Sequence, residues 1–257
     1  MAGVDSVELQ TKVKDMYRLV AEQPHGAYHF EMGRGLAERL GYPADLLERI
    51  PAAALESFAG VGHFLDLADL RPGERVLDLG SGSGTDSFAA AALVGPTGLV
   101  VGVDFTDAQL AKARRLALGA GLANVEFREG RIEDPPAAGE DFDCVISNGV
   151  INLSPDKERV FAEAARVLRR GGRLAIADII TERQLTDAIV ANADLWASCI
   201  GGAAQEDAYR KAIETAGLRI EQIRPNRYEF ISDQARSASV AYGVHSISLF
   251  AVKPERL

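Results

Sequence analysis

LDLGSGSGTD, residues 77–86, joins an apolar run to a helix-forming one through three glycines spaced two apart. Gly80, Gly82 and Gly84 can take left-handed backbone angles and let a ligand approach the main chain closely. The helix opening behind them offers unpaired N–H groups, which favour an anionic part of a ligand such as a carboxylate. The nicotinamide-dinucleotide fingerprint G-x-G-x-x-G wants a third glycine at a fixed place. Counting from Gly80 puts Thr85 there, and counting from Gly82 puts Ser87 there, so neither register fits.

Downstream, short β-branched runs alternate with amphipathic segments: LVVGVD, DAQLAKARRLALGAG, VEFREG, CVISN, PDKERVFAEAARVLRR and RLAIADII. Strict alternation implies right-handed βαβ crossovers and a parallel sheet covered on both faces. Gly95-Pro96 and Gly171-Gly172 read as turns between units. A mainly helical insertion spans about 182–204, a helix follows near 205–216, and LRIEQIR and SISLFAV are the last strands, with a short helix between them. Upstream, residues 1–70 carry apolar positions at helical spacing (Leu36, Leu40; Leu46, Leu47, Ile50) broken by Pro24, Pro43 and Pro51. They read as a helical cap or lid on a Rossmann-like domain of residues 71–257.

The second strand ends on Asp104, where a carboxylate can accept both hydroxyl protons of a ribose. Thr106 with Gln109 reads as a capping box, which leaves Asp104 for a ligand. GRIED, residues 130–134, reads in two ways: a loop in which Ile132 and Glu133 bracket an adenine, or a solvated acidic turn before Pro135-Pro136. Asn148 ends the fourth strand and is placed to hold the ligand's far end. Ser154-Pro155 reads as a structural helix start, with Ser as N-cap and Pro in the first turn.

Asp78 two residues before Gly80, with the G-x-G-x-G spacing, resembles motif I of the class I S-adenosylmethionine-dependent methyltransferases. GSGSGTD, LVGPTG, VGVD, NVEFREG, VISNGVINLSPDKERVF and GGRLAIADI together are similar to the arsenite methyltransferase branch, over roughly residues 70–215. The resemblance implies an α/β Rossmann-like, seven-stranded, mostly parallel sheet with the last strand antiparallel. It implies S-adenosylmethionine as cofactor, held by Asp78, Gly80, Ser81, Gly82, Gly84, Asp104, Phe105, Ile132, Glu133 and Asn148. Its catalytic scheme is As(III) held by cysteine thiolates beside the methyl donor. Family members carry a cysteine inside the SN-C-V segment, where this chain has Gly149, and another before the first strand, where residues 1–70 have none. Only Cys199, in SCIGGA, matches. Soft As(III) wants two or three thiolates, so one matched thiol is not a site. Gly149 would leave room beside the methyl donor for a bulkier organic acceptor.

Composition narrows the substrate. The chain of 257 residues is 47% hydrophobic and 25% charged, with net charge −9 from 37 acidic and 28 basic residues. No basic cluster of the kind that neutralises phosphates occurs, which disfavours nucleic acid and favours a small molecule. No apolar run reaches the length of a membrane span, and the first residues lack a signal-peptide core. With two cysteines, Cys144 and Cys199, no disulfide framework is implied and a cytoplasmic protein is expected. Homodimer formation stays open, and no metal site is expected.

Candidate groups beside the acceptor are Cys199, Tyr28 and His29, the last two in the polar-aromatic GAYHFEMGRG, which suits a closing lid. His63 and Trp196 also qualify, and each has an ordinary structural reading. Cys144, four residues before the strand end, reads as a small buried hydrophobe. Three functions follow: methyl transfer to a small organic acceptor, arsenite methylation with an incomplete cysteine set, or non-catalytic cofactor binding.

Overall fold

The computed structural model describes residues 4–197 and 200–255. Five helices come first: α1 (Ser6–Glu22), α2 (Arg34–Leu40), α3 (Ala44–Leu47), α4 (Ala52–Glu56) and α5 (Leu65–Ala68). Then strands and helices alternate through β1 (Arg75–Leu79), α6 (Thr85–Val94), β2 (Leu99–Asp104), α7 (Asp107–Gly119), β3 (Val125–Glu129), β4 (Phe142–Asn148), α8 (Lys157–Val167) and β5 (Leu168–Thr181). The remainder is α9 (Asp187–Val190), α10 (Ala193–Ala197), β6 (Ala204–Gln205), α11 (Glu206–Thr215), β7 (Arg219–Pro225), α12 (Asp233–Tyr242) and β8 (His245–Val252).

The strands form one sheet in the order β3-β2-β1-β4-β5-β8-β7. β1 to β5 are parallel neighbours, and β8 runs antiparallel to both β5 and β7. The expected seven strands make up this path, and two-residue β6 adds an eighth beside β5. Chain order reverses between β1 and β4, which opens a crevice at the carboxyl ends of β2, β1 and β4.

Two local expectations are corrected. β5 already begins at Leu168 and passes through Gly171-Gly172, where a turn was expected; an irregularity in its pairing with β4 absorbs the glycines. The N-cap of α8 is Asp156, whose carboxylate accepts from the Arg159 N–H at 2.9 Å, not Ser154. The helix expected between the last two strands is present as α12, ten residues long.

The helix α6 is buried over most of its length, as its all-apolar AAAALV run requires. One side faces the sheet and the other meets the N-terminal helices. Thr85 Oγ1 donates to the Ala54 carbonyl at 3.0 Å and the Arg49 guanidinium to that of Ala92. Helix α1 lies across α7 and α10: Gln109 Nε2 donates to the Tyr17 carbonyl at 2.8 Å, and Lys112 Nζ to the Ala21 carbonyl at 3.2 Å and Ser57 Oγ at 2.7 Å. These contacts hang a helical layer over the crevice. No helix among the described residues is long and apolar enough to cross a membrane.

Candidate functional site

The crevice is a cleft with two lobes. The first is floored by residues 80–83 and by Asp78, Thr85, Asp86, Asp104, Phe105 and Asn148, and roofed by Val13, Tyr17 and residues 57–60. The second is more apolar and shares Gly80, Asp104, Phe105 and Val150 with the first; Leu9, Ile132, Glu133 and Ser154 complete it.

Gly80, Gly82 and Gly84 take φ of 76°, 52° and 94°, as the motif requires. Their surroundings differ. A Cβ on Gly80 would come 2.5 Å from the Val150 methyls, and one on Gly84 2.8 Å from the rings of Phe127 and Phe88. Those two glycines serve internal packing. At Gly82 a Cβ would meet nothing nearer than Gln109 Oε1 at 3.8 Å, so Gly82, unlike the other two, is open on that side. Gly84 caps α6 with no side-chain hydrogen bond of its own, and Asp78 accepts from the Ser87 N–H in the first turn.

Asp104 Oδ2 accepts from the Gly82 N–H at 2.9 Å and Oδ1 from the Thr106 N–H at 2.8 Å. The capping box that was to leave Asp104 free does not form. Thr106 makes no side-chain cap, and Gln109 instead accepts from Ser83 Oγ at 2.5 Å and donates to Tyr17. Asp104 therefore shapes the glycine loop itself, with the Thr106 side chain and the Phe105 N–H as further donors.

Asp78 accepts from Ser87 Oγ at 2.6 Å. Burial, with Asp86 and then Asp104 adding like charge, pushes its carboxyl up to about 8. Burial pushes Asp86 up to about 6, against hydrogen bonds from Tyr42 and Asn148, and it raises Asp104 as well. No salt bridge reaches any of the three among the described residues, and no cation figures among the causes of their shifts. Buried carboxylates without cations suit a positively charged ligand. The Ser81 hydroxyl, buried in the same lobe, has no hydrogen-bond partner. S-adenosylmethionine carries a sulfonium, an ammonium, a carboxylate and ribose hydroxyls, and these residues fit it.

Asn148 is not free. Its Oδ1 accepts from the Val61 N–H at 2.8 Å, and its Nδ2 lies 3.0 Å from Asp86 Oδ2, 3.0 Å from the Gly62 carbonyl and 3.1 Å from the Tyr42 hydroxyl. Ile132 and Glu133 stand together in the second lobe. Glu133 accepts from Ser154 Oγ at 2.6 Å and pairs with Arg131 at 3.3 Å, so Ser154 serves the lobe and not a helix start.

Tyr28 and His29 lie outside both lobes. Tyr28 donates to the Gln23 carbonyl at 2.9 Å and stacks on Phe30, and only Tyr17, at the far side of Phe30, reaches the cleft. Gly149 opens no room: its φ is 70°, and a Cβ there would meet a Val61 methyl at 3.1 Å. Trp196 is buried, donating to the Val190 carbonyl at 2.6 Å, and His63 lies against the Tyr42 ring. Cys144 sits inside the sheet as expected, where burial pushes its thiol up to about 12. Cys199 lies outside the described residues. Sequence reasoning missed Tyr42, Val61 and the 57–60 loop, because nothing local marks a residue that meets the site from a distant helix. The Val13 and Tyr17 pair, four apart on α1, was a legible signal.

Fold and cleft together define a class I S-adenosylmethionine-dependent methyltransferase. Residues 70–217, more than half of the chain, match the methyltransferase domain family, and the chain belongs to it. It is 40% identical over 222 residues to the arsenite methyltransferase of Halobacterium salinarum, covering 86% of this chain and 56% of that protein. It spans about half the length, or less, of the curated relatives it matches. An arsenic(III) S-adenosylmethionine methyltransferase from Chlamydomonas reinhardtii superposes with a TM-score of 0.65 at 31% identity, over 87% of this chain and 74% of that one. The geranyl diphosphate C-methyltransferase of Streptomyces coelicolor shares the fold, with a TM-score of 0.66 at 16% identity over 94% and 98% of the two chains.

Proposed function

We propose that this protein transfers a methyl group from S-adenosylmethionine to a small organic acceptor. Asp104 and Phe105 take the ribose side, Ile132 and Glu133 the adenine, and Ser81, Gly82 and the N-terminus of α6 the amino-acid end. The bound cofactor supplies an activated methyl on sulfur. The chain's part is to align the acceptor and exclude water, a contribution on the order of 7–11 kcal/mol when alignment is good. Helices α1 to α5 act as the cap, with α1 and residues 57–60 as its working surface.

The observation that carries the choice of acceptor is the state of the thiols. Cys144 is enclosed by the sheet with its thiol held protonated, so Cys199 is the one remaining cysteine of this chain that can offer a soft ligand. A cysteine at position 149 would have to adopt a left-handed φ and displace Val61. The cleft roof is instead apolar and aromatic, with Val13, Tyr17 and Phe58.

Arsenite is the second reading, favoured by the 40% identity to an arsenite methyltransferase. Mass spectrometry of products made from arsenite, with and without glutathione, separates the two. The expected result is no methylated arsenic at useful rates. Rapid formation of methylarsenite that disappears in Cys199→Ser would establish the arsenite reading instead.

A further inference from the structure

The three cleft carboxylates are not equivalent. Asp104 ends β2 and is committed to the Gly82 and Thr106 amides. Asp78 lies deepest, 2% exposed, behind Ser87. Asp86, the second residue of α6, lines the first lobe and is bonded to Asn148 at the end of β4. β2 and β4 flank β1 on opposite sides, so their ends stand about two strand spacings apart, roughly 10 Å. A ligand with its ribose at Asp104 extends its other end toward Asp86.

Asp86 is 8% exposed and receives only neutral donors, the Tyr42 hydroxyl at 2.5 Å and Asn148 Nδ2 at 3.0 Å. Asn148 is over-subscribed: its two amide hydrogens face three acceptors, Asp86, the Gly62 carbonyl and the Tyr42 hydroxyl. One acceptor in this group is always short of a hydrogen. A cationic N–H donor would supply it and would also give the buried carboxylate its missing counter-charge. Ser81, whose buried hydroxyl has no hydrogen-bond partner among the described residues, lines the same lobe as Asp86 and is a donor suited to a carboxylate on the same ligand. A carboxylate and an ammonium on neighbouring atoms are the amino-acid end of the cofactor.

We propose that Asp86 reads the α-ammonium of the cofactor, in partial exchange for its bonds to Tyr42 and Asn148. This rests on S-adenosylmethionine being the cofactor. Because Tyr42 follows α2, and Asn148 holds Val61 and Gly62, the exchange is felt directly by the N-terminal helices.

The test is calorimetric, with S-adenosylhomocysteine, its deaminated analogue and 5′-methylthioadenosine as ligands. The intact protein should prefer S-adenosylhomocysteine over the deaminated analogue by about 10- to 100-fold, the range of a charged hydrogen bond. Asp86→Asn should lose that preference while binding 5′-methylthioadenosine within about twofold of the original affinity. Equal binding of the two ligands by the intact protein, or an undiminished preference in Asp86→Asn, overturns the proposal. Tyr42→Phe removes a competing donor and leaves the carboxylate, so its preference should rise. A preference unchanged there overturns the proposal even if Asp86→Asn does not fold. Failure of the intact protein to bind any of the three ligands would instead refute the cofactor reading.

Discussion

The two ends of the sheet treat buried carboxylates in opposite ways. At the amino ends of the strands each has an arginine: Glu74 pairs with Arg173 at 2.6 Å, and Asp143 with Arg169 at 2.6 Å while accepting from the Arg75 N–H at 2.7 Å. At the carboxyl ends, Asp78, Asp86 and Asp104 have hydroxyl, amide and backbone donors and no cation among the described residues. Burial does not separate the two groups, since Glu74 and Asp86 are both 8% exposed. The difference lies in the partner: one end pairs its carboxyl groups with arginines, and the other leaves them to hydroxyl, amide and backbone donors.

The comparison breaks most visibly at Arg173. Arg173→Met strands Glu74 and should cost about 3–5 kcal/mol of stability, the range for removing one partner of a buried pair. Chemical denaturation measures it, and S-adenosylhomocysteine affinity should barely move. A loss no larger than that of a surface pair would mean the amino-end pairs do not hold the sheet. At the other end, Asp104→Ala should weaken cofactor binding by about 1.5–3 kcal/mol in calorimetry. It also releases the Gly82 and Thr106 amides, so unchanged affinity would exclude Asp104 from both loop and ribose.

A third contrast is in pH. Asp78 moves from 3.8 to about 8 on folding, so between those values the folded protein keeps a proton that the unfolded chain has released. Its stabilising contribution is therefore full below the lower value and is lost as pH rises through the upper one. The ligand-free protein should therefore lose stability as pH rises through this window. Asp78→Asn should flatten that fall in thermal or urea melts at a series of pH values. An equal slope in the variant would show that Asp78 is ionised throughout.

Much of the site was legible because it is local. The glycine turn, Asp78 before it and Asp104 at the next strand end are positioned by backbone geometry over a few residues, and periodicity alone marks the alternation that builds the sheet. The capping box at Thr106 was misread for the opposite reason: its pattern is local, but Ser83 and Tyr17 compete for Gln109 from elsewhere. Gly149 was misread likewise, since whether a glycine opens space depends on what faces it, and Val61 does. Tyr28 and His29 carried suitable chemistry but sit beyond Phe30, outside the cleft.

The sequence by itself determined the sheet of parallel crossovers, because strand period and turn chemistry are properties of adjacent residues, and the resemblance of its glycine motif to a known family supplied the cofactor class. Only the tertiary structure decided which glycine of the motif is open on its Cβ side, that α1 and residues 57–60 roof the cleft, and that Asp86 is joined to Tyr42 and Asn148. Those contacts bring together residues 44 and 62 positions apart. Such partners are chosen by how helices pack on the sheet, and no local pattern encodes that.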